Sequence, residues 1–289
     1  MDIDGAAEQA RASATSAAKR SGIRIRALDS MASSHACARF LGEVWQTDPD
    51  RPPLAADVVK AMADAGSYVV GAFDDADDDR LVGACIGLWG PPRRAGMHSH
   101  IAGVHAAARG RDVGYALKLD QRAHALEYGV DRITWTFDPL VARNAHFNLR
   151  KLGGTADTYL PDYYGTLPDG LNHADESDRL MLRWDLRGER AVAACDEKTG
   201  PEPEPARPTV RVPSAGDDDR PVTRRTQDGT VLVAVPPDID QLRIRQPSVA
   251  RDWRLRLRGT LGALLADGAR LVDFDRAACG YVLTRGEER

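Results

Sequence analysis

Long apolar runs are missing from this chain. Nowhere in its 289 residues is there a stretch near the ~20 apolar residues that a membrane-spanning helix needs. The N-terminus carries no apolar core of the kind a signal peptide uses. An excess of one charge is missing too: 39 Lys and Arg stand against 43 Asp and Glu, a formal net charge of -4. Such a balance points neither to nucleic acid nor to an anionic membrane surface. The short basic pairs Arg93-Arg94 and Arg224-Arg225 suit a solvated surface. Cysteine is scarce and scattered: Cys37, Cys85, Cys195 and Cys279 form no CxxC and no Cys/His cluster at zinc spacing. Three of them lie among apolar neighbours, the usual setting of a buried free thiol. These absences predict a cytoplasmic, reduced protein with no metal, no nucleic-acid partner and no membrane partner.

What is present is ordinary for a globular chain, with 43% hydrophobic and 28% charged residues. The length suits one large domain or two smaller ones. Residues 1–21 are rich in Ala, Ser and charge without an apolar pattern, which predicts a disordered arm. Ile23, Ile25 and Ala27 then alternate with Arg24, Arg26 and Leu28, as in a half-buried strand. Ser30 is placed to cap a helix whose apolar residues Ala36, Phe40, Val44 and Trp45 recur at helical spacing. A second helix is expected over about 54–65. Two apolar strands follow, Tyr68–Phe73 and Leu81–Trp89, with the acidic run Asp74–Asp79 as their hairpin tip. A strand near His100–Val104, a helix over about 113–128, a strand Arg132–Phe137, a helix Ala142–Leu152 and a strand Arg179–Leu186 complete a mixed α/β order.

Composition changes over 188–228, where Pro201, Pro203, Pro205, Pro208 and Pro213 with Asp217–Asp219 read as a linker. Beyond it, the strand Val231–Val235, a helix over about 248–267, and the strands Arg270–Phe274 and Gly280–Leu283 make a small α/β tail. The tail echoes the last third of the first domain and is expected to pack on it. The expected division is therefore an arm over 1–21, a domain over 22–187, a linker over 188–228 and a tail over 229–289.

One segment carries chemistry: a strand ending near Val104, a basic glycine loop, then a helix. Amides at a helix start, together with the positive end of its dipole, seat a diphosphate, and glycine lets the backbone approach phosphates closely. The run Val104-His105-Ala106-Ala107-Ala108-Arg109-Gly110-Arg111-Asp112-Val113-Gly114-Tyr115-Ala116-Leu117 resembles the coenzyme A signature of the GNAT (Gcn5-related) N-acetyltransferase superfamily. In that signature a strand ends in Val and an Arg/Gln-x-x-Gly-x-Gly loop opens the long helix. Ala145–Gly153 is similar to the family's helix ending in Lys-Leu-Gly. Tyr115–Lys118, Trp135–Leu140, Asn144–Gly153, Tyr163–Gly165 and Ser177–Leu180 resemble a branch of GNAT acetyltransferases known from sequence. The likeness covers about 98–186 in residues and 23–97 in element order.

The resemblance implies a mixed α/β GNAT acyl-CoA N-acyltransferase fold with a small α/β C-terminal extension. It implies acetyl-CoA or another acyl-CoA as co-substrate, succinyl among the acyl groups, and a small-molecule primary amine as acceptor. A homodimer is one assembly it leaves open. Val104, Arg109, Gly110, Arg111, Asp112, Val113, Gly114, Tyr115 and Asn144 become the residues expected to meet the co-substrate. Asp138 follows the fifth strand as a candidate base, the alternative being a turn residue ahead of Pro139. His98 and His100 share one strand face by alternation, and His100 is the candidate proton relay. Tyr163 or Tyr164 is the candidate acid.

The chain departs from the pattern in two places. Aligned from Val104, the first glycine of the motif falls on Asp112, although Arg111-x-x-Gly114-x-Ala116 also satisfies it two residues later. The tyrosine that many members place after the fifth strand corresponds to Leu149. Both departures keep a second expectation open, a GNAT-shaped coenzyme A-binding or scaffold protein with little or no turnover.

Overall fold

The computed structural model describes residues 3–91, 96–167, 169–171, 175–195, 223–225 and 230–284. Most of the expected linker, with its prolines and Asp217–Asp219, lies outside these residues, as do Arg93 and Arg94. From the N-terminus the elements are α1 (Ile3–Arg20), β1 (Ile23–Ala27), α2 (Met31–Trp45), α3 (Ala56–Asp64), β2 (Tyr68–Asp74), β3 (Asp77–Trp89), β4 (Met97–Val104), α4 (Val113–Glu127) and β5 (Arg132–Phe137). They continue as α5 (Ala142–His146), β6 (Thr155–Leu160), β7 (Arg179–Asp185), α6 (Glu189–Cys195), β8 (Thr223–Arg225) and β9 (Val231–Ala234). The chain closes with α7 (Ile239–Arg245), α8 (Pro247–Leu257), α9 (Ala263–Ala266), β10 (Arg270–Asp275) and β11 (Gly280–Thr284). The architecture is mixed α/β with mostly antiparallel pairing.

The chain folds into two compact units, residues 1–135 with 185–198, and residues 136–184 with 199–289. In the first, β1, β2, β3 and β4 pair antiparallel in sequence order, and β4 then pairs parallel with β5. Ser30 caps α2 as expected, accepting from the amide of Ser33 in a reciprocal capping box. Phe40 and Leu41 of α2 join Leu28, Val59, Val69, Ala84 and Ile86 in the core on one side of the sheet. Gly103 of β4 lies so close to that helix that a Cβ there would sit 2.7 Å from the Trp45 ring.

The disordered arm expected over residues 1–21 is corrected: residues 3–20 form an 18-residue helix packed along α4. Ala6, Ala10, Ala14 and Ala17 are all buried, a face of small side chains at helical spacing. Alanine favours the helix and lets two backbones approach closely. At the rim, Arg11 bonds Asp120 at 2.7 Å and Glu127 at 2.6 Å. The low overall hydropathy of this segment hid the pattern, because close packing of alanines needs no bulky apolar residue.

In the second unit, β6 and β7 pair antiparallel, and a four-stranded antiparallel sheet has the order β10-β11-β9-β8. The helix starting with α5 continues as a π-turn over Phe147–Lys151. β10 packs on α5, on that turn and on β6. The Tyr281 hydroxyl donates to the Pro139 carbonyl at 2.7 Å, and Arg150 bonds Asp273 at 2.6 Å. The C-terminal strands thus complete the core around residues 136–184, and the unit boundary falls at 135/136 where 187/188 was expected. Neither β6 nor α7 was foreseen, since Thr155–Leu160 and Ile239–Arg245 are short and largely polar.

Candidate functional site

The parallel ladder between β4 and β5 joins Met97 to Ile133 and His98 to Thr134, and β4 runs on past it to Val104. His105 then donates its amide to the Val82 carbonyl at 2.9 Å and caps a single 3-10 turn, Ala106–Ala108. Arg109 is extended and exposed, Gly110 has φ 83°, and Asp112 has φ 60° and ψ 20° at the N-cap of α4. The position where the resemblance puts a glycine therefore adopts the left-handed backbone that glycine favours, and Asp is among the few other residues that tolerate it. Val113, fully buried, and Gly114, beside Val104, begin the 15-residue helix. The amides of its first turn and its dipole form an anion-friendly end. Tyr115 is half-buried and its hydroxyl donates to the Ala194 carbonyl at 2.9 Å, a tie between α4 and α6.

Arg111 is otherwise engaged. Its guanidinium bonds Asp74 at 2.6 Å and donates to the carbonyls of Ser21 at 3.1 Å and Gly22 at 2.9 Å. That hydrogen bond to Asp74, helped by the Ala76 amide, holds the carboxyl below its ordinary range. The expectation that Arg111 grips a diphosphate is therefore revised: it staples the loop to the β1 and β2 ends, and exposed Arg109 is the guanidinium the loop presents.

His98 and His100 do share a face of β4, with ring centroids 6.4 Å apart. His98 is half-buried, and its Nδ1 lies 3.4 Å from the Thr134 hydroxyl. Burial, then His100 and Lys118, lower its pKa; desolvation lowers that of the more exposed His100. Both rings are thus held in the neutral form near pH 7. On the other face, buried Ser99 accepts from Lys118 Nζ at 2.7 Å. Lys118 also donates to Gln121 at 3.1 Å and lies 3.8 Å above the Trp135 ring. Burial brings its pKa down to about 8. Sequence inspection missed this lysine, which sits among the apolar positions of α4 with no charge partner to announce it.

Asp138, Tyr164 and Asn144 belong to the second unit. Asp138 is buried and receives Arg243 at 2.5 Å and Arg254 at 2.9 Å, with Arg179 at 3.9 Å. Its Oδ1 also accepts from the Leu140 amide at 2.9 Å, the turn geometry that was the alternative reading. Asp175 bridges the same two arginines at 3.3 and 2.7 Å. Burial alone would raise the Asp138 pKa, but Arg254, Arg243 and Arg179 outweigh it and drive it well below the carboxylate range. A carboxylate so stabilised is a poor proton acceptor, so the base role expected of Asp138 is revised to that of a structural anchor.

Tyr164 is exposed, pairs edge-on with Tyr163 at 4.7 Å, and its hydroxyl lies 3.1 Å from that of Thr136. Arg179 lies 5.3 Å above its ring. Asn144 is half-buried in the first turn of α5, and Leu149 is fully buried, so the hydroxyl absent there has no place in this packing. The arginines facing Asp138 were missed as a set. Arg254 alone of that set belongs to a readable pattern, with Arg251 and Arg258 along one face of α8 and the turn that follows it, opposite the acids Asp175, Glu176 and Asp178.

No family model matches this chain, and no curated protein matches it. Among solved structures, it is similar to an acetyltransferase of the GNAT family from Streptococcus pneumoniae, at 14% identity and TM-score 0.45, over 56% of this chain and 97% of that one. It is also similar to the ribosomal-protein-S18-alanine N-acetyltransferase from Escherichia coli, at 13% identity and TM-score 0.44, over 58% and 97%. Ard1 from Thermoplasma volcanium gives 15% identity and TM-score 0.44, over 56% and 96%. At these values the likeness by itself decides neither family nor activity.

Proposed function

We propose that this protein is a GNAT-type N-acyltransferase that moves an acetyl or other short acyl group from acyl-CoA to a primary amine of a small molecule. The observation that carries this reading is the run from β4 into α4. A strand that outlasts its parallel ladder leads into a turn with Asp112 in the left-handed region, and that turn opens a long helix. It matches the signature residues Val104 to Leu117, and the loop offers an exposed Arg109 and first-turn amides to a diphosphate. Val113, Gly114 and Tyr115 contribute through the backbone, since the side chains of Val113 and Tyr115 are used in packing.

In this reading the amine attacks the thioester carbonyl directly, the carbon–sulfur bond breaks, and the ammonium proton goes to a base. His98 and His100 are the best-placed bases of the first unit, being neutral imidazoles on the β4 face. Tyr164 is the candidate acid for the departing thiolate, and Asn144 a candidate ligand contact. A thiolate with a thiol-like pKa leaves acceptably without a strong acid, so buried Leu149 is compatible with turnover. The second reading, a coenzyme A-binding scaffold with weak or no turnover, is favoured by the tethering of Arg111 and by Leu149. Titration calorimetry with acetyl-CoA, succinyl-CoA and coenzyme A tests the first step. Micromolar binding supports the loop, and silence at high ligand sinks both readings. Given binding, a hundredfold fall in turnover for His98→Ala or His100→Ala identifies the base.

A further inference from the structure

α1, α4 and the segment around α6 line a partly open cavity of about 120 Å³ within the first unit, bordered by Ala6, Gln9, Arg122, Arg187 and Val192. Arg122 is only 5% exposed. Its Nε and Nη2 both donate to one acceptor, the Leu186 carbonyl, at 3.0 and 2.7 Å. The Nε of Arg187 is buried without any hydrogen-bond partner. Among the described residues neither guanidinium has a carboxylate within ion-pairing distance. The contrast with Arg11 on the same helix pair is direct, since Arg11 takes both Asp120 and Glu127.

Arg122 carries a desolvation that no carboxylate among the described residues offsets, and Arg187 lines the same space with its Nε unpartnered. With its Nε and Nη2 turned to Leu186, Arg122 keeps its Nη1 donors, and Arg187 adds its unpartnered Nε, N–H groups of the kind that hold an oxyanion. Gln9 adds an amide, while Ala6 and Val192 form an apolar end. Roughly 150 Å³ of cavity takes a benzene ring, so this space holds about half a dozen heavy atoms.

We propose that this cavity is a binding site for a small oxyanion, a short carboxylate or inorganic phosphate, held between Arg122 and Arg187. The bound anion ties α1 to α4 and to the returning segment 185–195, three pieces of chain far apart in sequence. The site is separate from the β4–α4 loop and does not depend on acyl transfer.

The test uses the full chain in a zwitterionic buffer, with thermal unfolding followed in sodium acetate, sodium phosphate and sodium chloride at matched ionic strength. Acetate or phosphate at tens of millimolar is expected to raise Tm by about 2–4 °C above chloride. The arm that responds assigns the source as carboxylate or phosphate. Arg187→Gln is expected to abolish the difference while leaving acyl-CoA affinity unchanged, and Ala6→Leu, which fills the space, is expected to do the same. Should Ala6→Leu fail to fold, Arg187→Gln alone decides. Equal shifts in all three salts, or a shift that survives Arg187→Gln, overturns the site and leaves an adventitious ion only.

Discussion

In the first unit the buried cations stand nearly alone, Lys118 against a hydroxyl and an amide and Arg122 against one carbonyl, whereas in the second they are pooled with acids. There Arg243 and Arg254 share Asp138 and Asp175, and Arg258 takes Asp178 at 2.6 Å and Glu176. The same residue type therefore does different work. A pooled network fixes the position of strands and helices around it and is intolerant of losing one member. A lone buried cation is a standing cost, retained where something titratable or anionic is met. The buried cations open to titration or to an anion are accordingly those of the first unit, whereas those of the second are held by their own acids.

The sharpest way to break that contrast is Asp138→Asn. It keeps the shape and leaves Arg243 and Arg254 with Asp175 as their one shared carboxylate, a loss of up to about 3–5 kcal/mol for a buried charge removed from its partners. Urea unfolding should show it as a drop in midpoint. Were Asp138 a catalytic base instead, turnover would collapse with little change in stability, and the division of labour would be wrong.

Lys118 sharpens the other side. Its folded pKa of about 8 lies below the 10.5 of a free side chain, so between these values the unfolded chain binds the extra proton. Stability contributed by this group therefore rises with pH through that window, by about 3 kcal/mol in full, and the cost is fully present below pH 8. Lys118→Met should remove the rise. Wild type and variant compared from pH 7 to pH 10.5 give the check, and parallel curves would mean that Lys118 is solvated after all.

Smaller again is the effect of crowding the alanine face of α1. Ala14→Leu adds methylenes to a position 2% exposed against α4, and overpacking of this kind costs about 1–3 kcal/mol. A neutral outcome in a denaturation curve would restore the reading of a loose arm.

The contrast also explains what could be read from residues alone. β2, β3, β5, α2 and α4 were legible because their apolar residues repeat at the period of the element that buries them. α1 was not, since its buried face is Ala6, Ala10, Ala14 and Ala17, which carry almost no hydropathy signal. The loop Val104–Gly114 was legible as a motif, yet the capture of Arg111 by Asp74 depends on a contact 37 residues away that no local pattern encodes. Asp138 looked available for chemistry for the same reason: its partners Arg243 and Arg254 lie more than a hundred residues downstream. Local pattern fixes elements, whereas the protonation and availability of a side chain are set by long-range partners.

Asp112 is the residue on which the loop turns, and Asp112→Gly gives the smallest expected effect. An ordinary L-residue in the left-handed region costs ~1–2 kcal/mol and Asp somewhat less, so glycine should stabilise the fold by under about 1 kcal/mol. The effect on acyl-CoA depends on where the carboxylate points. A like charge about 4 Å from a phosphate costs ~1 kcal/mol in water and ~4 kcal/mol at an effective dielectric of 20. Since every 1.4 kcal/mol is about tenfold in affinity, a carboxylate facing the diphosphate would make the variant bind at least fivefold more tightly. An exposed Asp at the mouth of the loop has room to turn away, so the expected change in Kd is below about twofold. Calorimetry on the two proteins with acetyl-CoA separates these cases. A gain of tenfold or more would mean that the native loop is compromised, and would move the balance to the scaffold reading.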